Sequence, residues 1–133
     1  MKFISTTSFI FILFALAQLL TSTIAHNASC GGKINHCDYH LRDMPDGTTQ
    51  QFGARCCSED NFLGANRNSK FGCDIWAGSR NPSTRECFTA GTYDAAQAFC
   101  ASFGTRLCTC SELLSKCAKG TGCDLNKKMV WCN

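Results

Sequence analysis

The chain has 133 residues, twelve of them cysteine, and carries 13 Lys and Arg against ten Asp and Glu for a net charge of +3. That surplus is too small for a nucleic-acid binder or a polycation that works on membrane surfaces. Two prolines in a polar-rich chain argue against a fibrous protein.

Met1-Lys2 supplies a positive start, Phe9 to Leu20 an apolar run, and Thr23 and Ala25 the small residues at −3 and −1 of a signal-peptidase site. The run is shorter than the roughly 20 residues that span a bilayer. The expectation is a cleaved signal peptide over 1–25 and one secreted domain over 26–133, with no membrane partner after cleavage. Removing Lys2 with the leader leaves twelve basic against ten acidic residues. Asn27-Ala28-Ser29 is a glycosylation sequon, while Asn81-Pro82-Ser83 is disqualified by its proline.

Residues 26–50 show little periodicity and read as an irregular segment pinned by cystines. They hold every histidine. Cleavage after Ala25 makes His26 the N-terminus, offering an amine and an imidazole nitrogen to one metal. In His36-Cys37-Asp38-Tyr39-His40 the two histidines share a face in a strand or in a helix, a geometry that suits Cu²⁺ or Zn²⁺. His26, His36 and His40 are therefore the candidate metal ligands, set against the plainer reading of exposed polar residues.

Residues 51–57 and 71–77 read as short strands with a polar loop, Ser58 to Ser69, between them. Gly78 to Arg85 is a second loop, followed by a short strand near Cys87-Phe88. Tyr39, Phe62 and Phe71 lie in or near loops and are the candidate ligand contacts, together with Arg67. Arg55, Arg67, Lys70 and Arg80 bracket the loops as a modest basic set. Trp76 and Trp131 sit beside cysteines in apolar strands, where core packing competes with a sugar-stacking role.

Thr92 caps a predicted helix from Tyr93 to Phe103, with Asp94 in its first turn and Ala96, Phe99, Cys100 and Phe103 as one apolar stripe. Gly104 takes the position just past the helix end. After extended Arg106-Leu107-Cys108, Thr109 and Glu112 form a capping box for a second helix. That helix has Cys110, Leu113, Leu114 and Cys117 on one face, and Gly120-Thr121-Gly122 stops it. Met129 to Cys132 closes the chain as a strand. The fold class is thus α+β: a small disulfide-rich domain with two helices on a short, irregular antiparallel sheet.

Cys30, Cys37, Cys56, Cys57, Cys73, Cys87, Cys100, Cys108, Cys110, Cys117, Cys123 and Cys132 make an even set, expected to pair fully in an oxidising compartment. Six bridges admit roughly ten thousand connectivities, so the pattern stays open. Cys56-Cys57, and Cys108 with Cys110, are too close to bridge each other easily, so each is expected to take a different partner.

The pattern Tyr93, Ala96, Cys100, Gly104, Leu107 and Glu112-Leu113 resembles the two-helix opening of C-type lectin-like and link-type domains. No Glu-Pro-Asn or Trp-Asn-Asp triplet occurs, so calcium-dependent sugar binding is carried to no residue. Arg55-Cys56-Cys57, Cys73-Asp74-Ile75-Trp76, Arg106 to Thr109, Glu112-Leu113, Gly120 to Cys123 and Val130-Trp131 resemble a small cysteine-rich module of secreted algal and protist proteins. That resemblance implies a fold, and no established activity.

No catalytic constellation stands out. The histidines are confined to one segment, no Gly-x-Ser-x-Gly elbow occurs, and Glu59-Asp60 falls in a polar loop. The leading expectation is a monomeric secreted binding module for extracellular or cell-wall carbohydrate or protein, with no cofactor. A defence or effector protein is the second reading, and a small copper or zinc protein through His26 is the third.

Overall fold

The computed structural model describes residues 25–33, 35, 37, 41–44 and 49–133. The leader up to residue 24, and with it the signal-peptide reading, lies outside the described residues, as do His36, Tyr39 and His40. Among the described residues the domain contains seven short strands and two α-helices. The strands are β1 (His26–Cys30), β2 (Leu41–Met44), β3 (Gly53–Ala54), β4 (Cys56–Ser58), β5 (Trp76–Gly78), β6 (Arg106–Leu107) and β7 (Met129–Cys132). The helices are α1 (Tyr93–Ala101) and α2 (Cys110–Leu114).

The strands form two sheets where the sequence predicts one. A four-stranded sheet has the order β2-β1-β7-β3, and a three-stranded one β5-β4-β6. The first is mixed, because β3 runs parallel to β7 while β1 is antiparallel to both neighbours. The split happens at Arg55. Gly53–Ala54 pairs with β7, and Cys56–Ser58 pairs with β5 and β6, so one extended segment serves both sheets. The Arg55 carbonyl at the corner accepts from Cys108 N at 2.9 Å.

Two further expectations are corrected. The segment read as irregular from residue 26 begins with β1, which pairs on both sides in the larger sheet. Ala28, Ser29 and Cys30 are all fully buried. A strand covered on both faces shows no polar–apolar alternation, so its period was not visible. The strand expected at 71–77 is displaced: Ser69–Phe71 is a single 3-10 turn, closed by Gly72 at φ +75°, and the strand begins only at Trp76. Around Cys87 the chain makes one isolated bridge, to Arg80.

The helix signals hold. Thr92 accepts from Ala95 N, and Asp94 stands in the first turn of α1. The helix ends at Ala101, two residues short of its predicted limit, in a turn that places Gly104 at φ +75°. Thr109 and Glu112 make the capping box in both directions. The second helix is one short turn, after which 115–120 continue as hydrogen-bonded turns.

All twelve cysteines are paired: 30–37, 56–100, 57–108, 73–117, 87–123 and 110–132. Adjacent residues of a strand face opposite sides. Cys56 therefore enters the core under α1 with Ala96, Cys100, Leu107 and Trp131, while Cys57 enters the second core with Leu113, Leu125 and Val130. The vicinal pair staples two cores from one strand. In β7, Trp131 faces the first core, and Val130 and Cys132 face the second. Trp131 is a core residue, its indole N–H donating to Gly91 O at 2.7 Å, while Trp76 is half-buried. No helix among the described residues is long and apolar enough to cross a membrane.

Candidate functional site

Of the described candidate ligand contacts, Phe62 and Arg67 are engaged in contacts of their own. Phe62 folds inward: its ring lies against Gly78, where an added Cβ would come within 2.7 Å of it, and packs at 6.1 Å from the Phe103 ring. It serves as the hydrophobic seat of the 58–69 loop. Arg67 pairs with Asp74. Arg55 is fully buried and so leaves the basic set expected with Arg67, Lys70 and Arg80.

Phe71 differs. Half-buried at the end of the 3-10 turn, its ring has three ammonium groups around it: Lys70 Nζ at 5.2 Å, Lys116 Nζ at 5.7 Å and Lys119 Nζ at 5.5 Å from the centroid. Such distances suit cation–π attraction. Two lysines come from the turns after α2, more than forty residues along the chain, and two devices hold the segments together. Asn68 Nδ2 donates to Cys117 O at 2.6 Å and to Lys119 O at 2.9 Å, and the 73–117 disulfide lies just behind. An added Cβ at Gly72 would meet nothing within 4 Å, so the chain beside the ring borders open space. No sequence motif marks Lys116 and Lys119 as ligand contacts. Their convergence on Phe71 has no local signal.

Lys116 is also conformationally unusual. Its φ is +66°, the left-handed region, in the position after a helix end where glycine is the low-energy residue.

A second concave region lies at the start of β1. An open cleft of about 520 Å³ is lined by His26, Asn27, Tyr93, Asp94, Gln97 and Asn133. The His26 ring stacks on Tyr93 at 3.8 Å, and the Tyr93 hydroxyl donates to Asn133 Oδ1. Burial, with Asp94 nearby, pushes the Tyr93 phenol upward. The sequon residue Asn27 is half-buried in β1, with its Oδ1 enclosed and unpartnered among the described residues.

Only His26 of the three candidate metal ligands is described. Among the described residues, one group of three His, Cys, Asp or Glu donors lies close enough to share an ion: Cys57, Cys108 and Glu112. Its cysteines are bonded to each other, so neither offers a thiolate. Its carboxylate is engaged by Arg106 through two hydrogen bonds of 2.9 and 2.8 Å. Burial alone would raise the Glu112 carboxyl, but the Arg106 bonds and the Thr109 backbone N–H outweigh it and hold the group below its ordinary range. Glu59 joins the same arginine at 3.3 Å rather than pairing with Asp60 for acid–base work.

Compared with known protein families, curated proteins and solved structures, the chain matches none. The surface of the domain is then what bears on function.

Proposed function

We propose that the chain is a secreted, monomeric binding module that recognises an extracellular carbohydrate through the Phe71 face. The observation that carries this reading is the rigid seat of Phe71. A half-buried ring is surrounded by three lysines and stapled by Asn68 and the 73–117 disulfide. Ordering a binding surface at the moment of association costs affinity, and a prebuilt surface avoids that cost. An apolar ring with N–H donors close to it suits the mixed C–H and hydroxyl surface of a pyranose.

Six disulfides are the chemistry of an oxidising compartment, which supports an extracellular site of action together with the leader-like start. The test is retention of the secreted protein on a panel of insoluble cell-wall and extracellular polysaccharides. Phe71→Ala should lose retention while remaining folded at the assay temperature, with a lowered thermal midpoint because the ring also packs on the second core. Wild-type retention by that variant would refute the assignment of the site.

A further inference from the structure

Resting on that reading of the Phe71 face, we propose that its ligand is an anionic polysaccharide, with sulfate or carboxylate groups held by Lys70, Lys116 and Lys119. Each nitrogen lies 5.2–5.7 Å from one ring centroid, so no two are farther apart than about 11 Å. That is close to the roughly 10 Å over which 0.1 M salt screens charge, so the three repel one another and jointly attract an anion.

Three other cations of this domain are compensated. Arg67 pairs with Asp74, Arg106 with Glu112 and Glu59, and Lys128 with Asp124. Lys33, Arg80, Arg85 and Lys127 stand apart from the cluster with no carboxylate within 4.0 Å among the described residues. None of the three lysines has a carboxylate within 4.0 Å among the described residues. The cluster is thus a local concentration of charge on a chain whose net charge is only +3.

Lys116 in this patch has a left-handed backbone, a conformation that Arg85, Cys123 and Asp124 also adopt elsewhere. A β-carbon in the left-handed region is costly, and glycine removes that cost. The lysine here accepts that backbone cost and places its ammonium 5.7 Å from the Phe71 centroid.

The dimensions favour a polysaccharide over other polyanions. Nucleic acids are tracked by basic grooves extending over several phosphates, whereas this cluster is a single compact patch. Anionic membranes are engaged by long cationic amphipathic helices, and the helix that leads into this patch has only five residues. Charged groups carried one at a time on pyranose rings suit a compact triad beside an aromatic ring.

The experiment uses the secreted full chain and five soluble probes: dextran sulfate, polygalacturonate, neutral dextran, a single-stranded oligonucleotide, and vesicles of phosphatidylcholine with 30% phosphatidylserine. Affinity is measured between 25 and 300 mM NaCl. The expected result is binding to dextran sulfate or polygalacturonate that weakens with salt. Lys70→Gln and Lys119→Gln should each lower affinity about five-fold and reduce the salt slope by about a third. The relative affinity for the two polymers distinguishes sulfate from carboxylate recognition. Lys116→Gly should lose the same affinity while raising the thermal midpoint, a combination that a merely structural lysine would not produce.

Salt-independent binding to neutral dextran would overturn the charged ligand and leave carbohydrate recognition standing. Anionic polysaccharide binding unchanged by all three substitutions would overturn this site alone. Tighter binding to the oligonucleotide or the vesicles, or no binding to any probe, would overturn both the charged ligand and the carbohydrate reading.

Discussion

Replacing Arg55 isolates the least expected feature of the core, a fully buried guanidinium with no carboxylate partner among the described residues. Its nitrogens donate to Ser79 Oγ at 3.0 Å, Asn126 Oδ1 at 3.0 Å, Thr121 Oγ1 and Ala118 O, while Nε has no partner among the described residues. Burial lowers its pKa to about 10, so it remains charged at neutral pH. A base whose folded pKa lies below its unfolded value opposes folding wherever it is protonated, and that penalty recedes only as pH rises above 10. The depression corresponds to about 3 kcal/mol of unfavourable charge burial.

Each acceptor around Arg55 keeps another partner if the guanidinium goes. Ser79 and Thr121 bond each other at 2.8 Å, Thr121 donates to Ala118 O, and Gly120 N donates to Asn126 Oδ1. Removal therefore creates a cavity and no orphaned acceptors. Arg55→Ala should cost about 3–5 kcal/mol, mostly from the void. Arg55→Met refills the stem without a charge and should cost less than about 2 kcal/mol. The assay is guanidinium chloride unfolding at pH 7 with the disulfides intact, followed by tryptophan fluorescence. A methionine variant as unstable as the alanine variant would refute this reasoning, because the hydrogen bonds of the guanidinium would then outweigh the packing of its stem.

Glu112→Gln should destabilise by about 1–2 kcal/mol at pH 7, since it weakens both the capping box and the Arg106 pair. Because the folded carboxyl lies below its unfolded value near 4.3, its contribution is full above that pH and is lost as pH falls through the folded value. Thermal midpoints of the two proteins should therefore converge below about pH 4, and a gap that stays constant with pH would contradict the assignment. Removing the 57–108 bridge as a double alanine variant should cost about 4 kcal/mol from its separation of 51 residues, against about 2 kcal/mol for the 30–37 bridge with a separation of 7. Equal losses in denaturant titrations would reject the loop-entropy account. Gly104→Ala should lower stability by about 1 kcal/mol through its φ of +75° alone, since an added Cβ there meets no atom within 4 Å. Calorimetry that finds no loss would show that the turn relaxes.

Local chemistry was legible wherever it is written in adjacent residues. The Thr92 cap, the Thr109–Glu112 box, the turn at Gly104 and the closing strand Met129–Cys132 all depend on contacts within about five residues or on a short apolar run. The even cysteine count made full pairing readable, and steric proximity sent Cys56 and Cys57 to different partners. Strand β1 was not readable, since burial of Ala28, Ser29 and Cys30 on both faces erases alternation. Nor was the 3-10 turn at Ser69–Phe71, where an aromatic beside glycine and cysteine imitates a strand.

By itself, then, the amino-acid sequence determined the class of the domain, its two helix starts and its commitment to cystines. Tertiary structure alone decided that 53–58 is divided between two sheets at a buried Arg55, and which cysteines meet. It also decided that Lys116 and Lys119 arrive beside Phe71. The physical reason is range. Caps and turns are set by hydrogen bonds a few residues apart, whereas sheet partners, most cystine partners and the lysine cluster join residues far apart in the chain, brought together only by the burial of two cores.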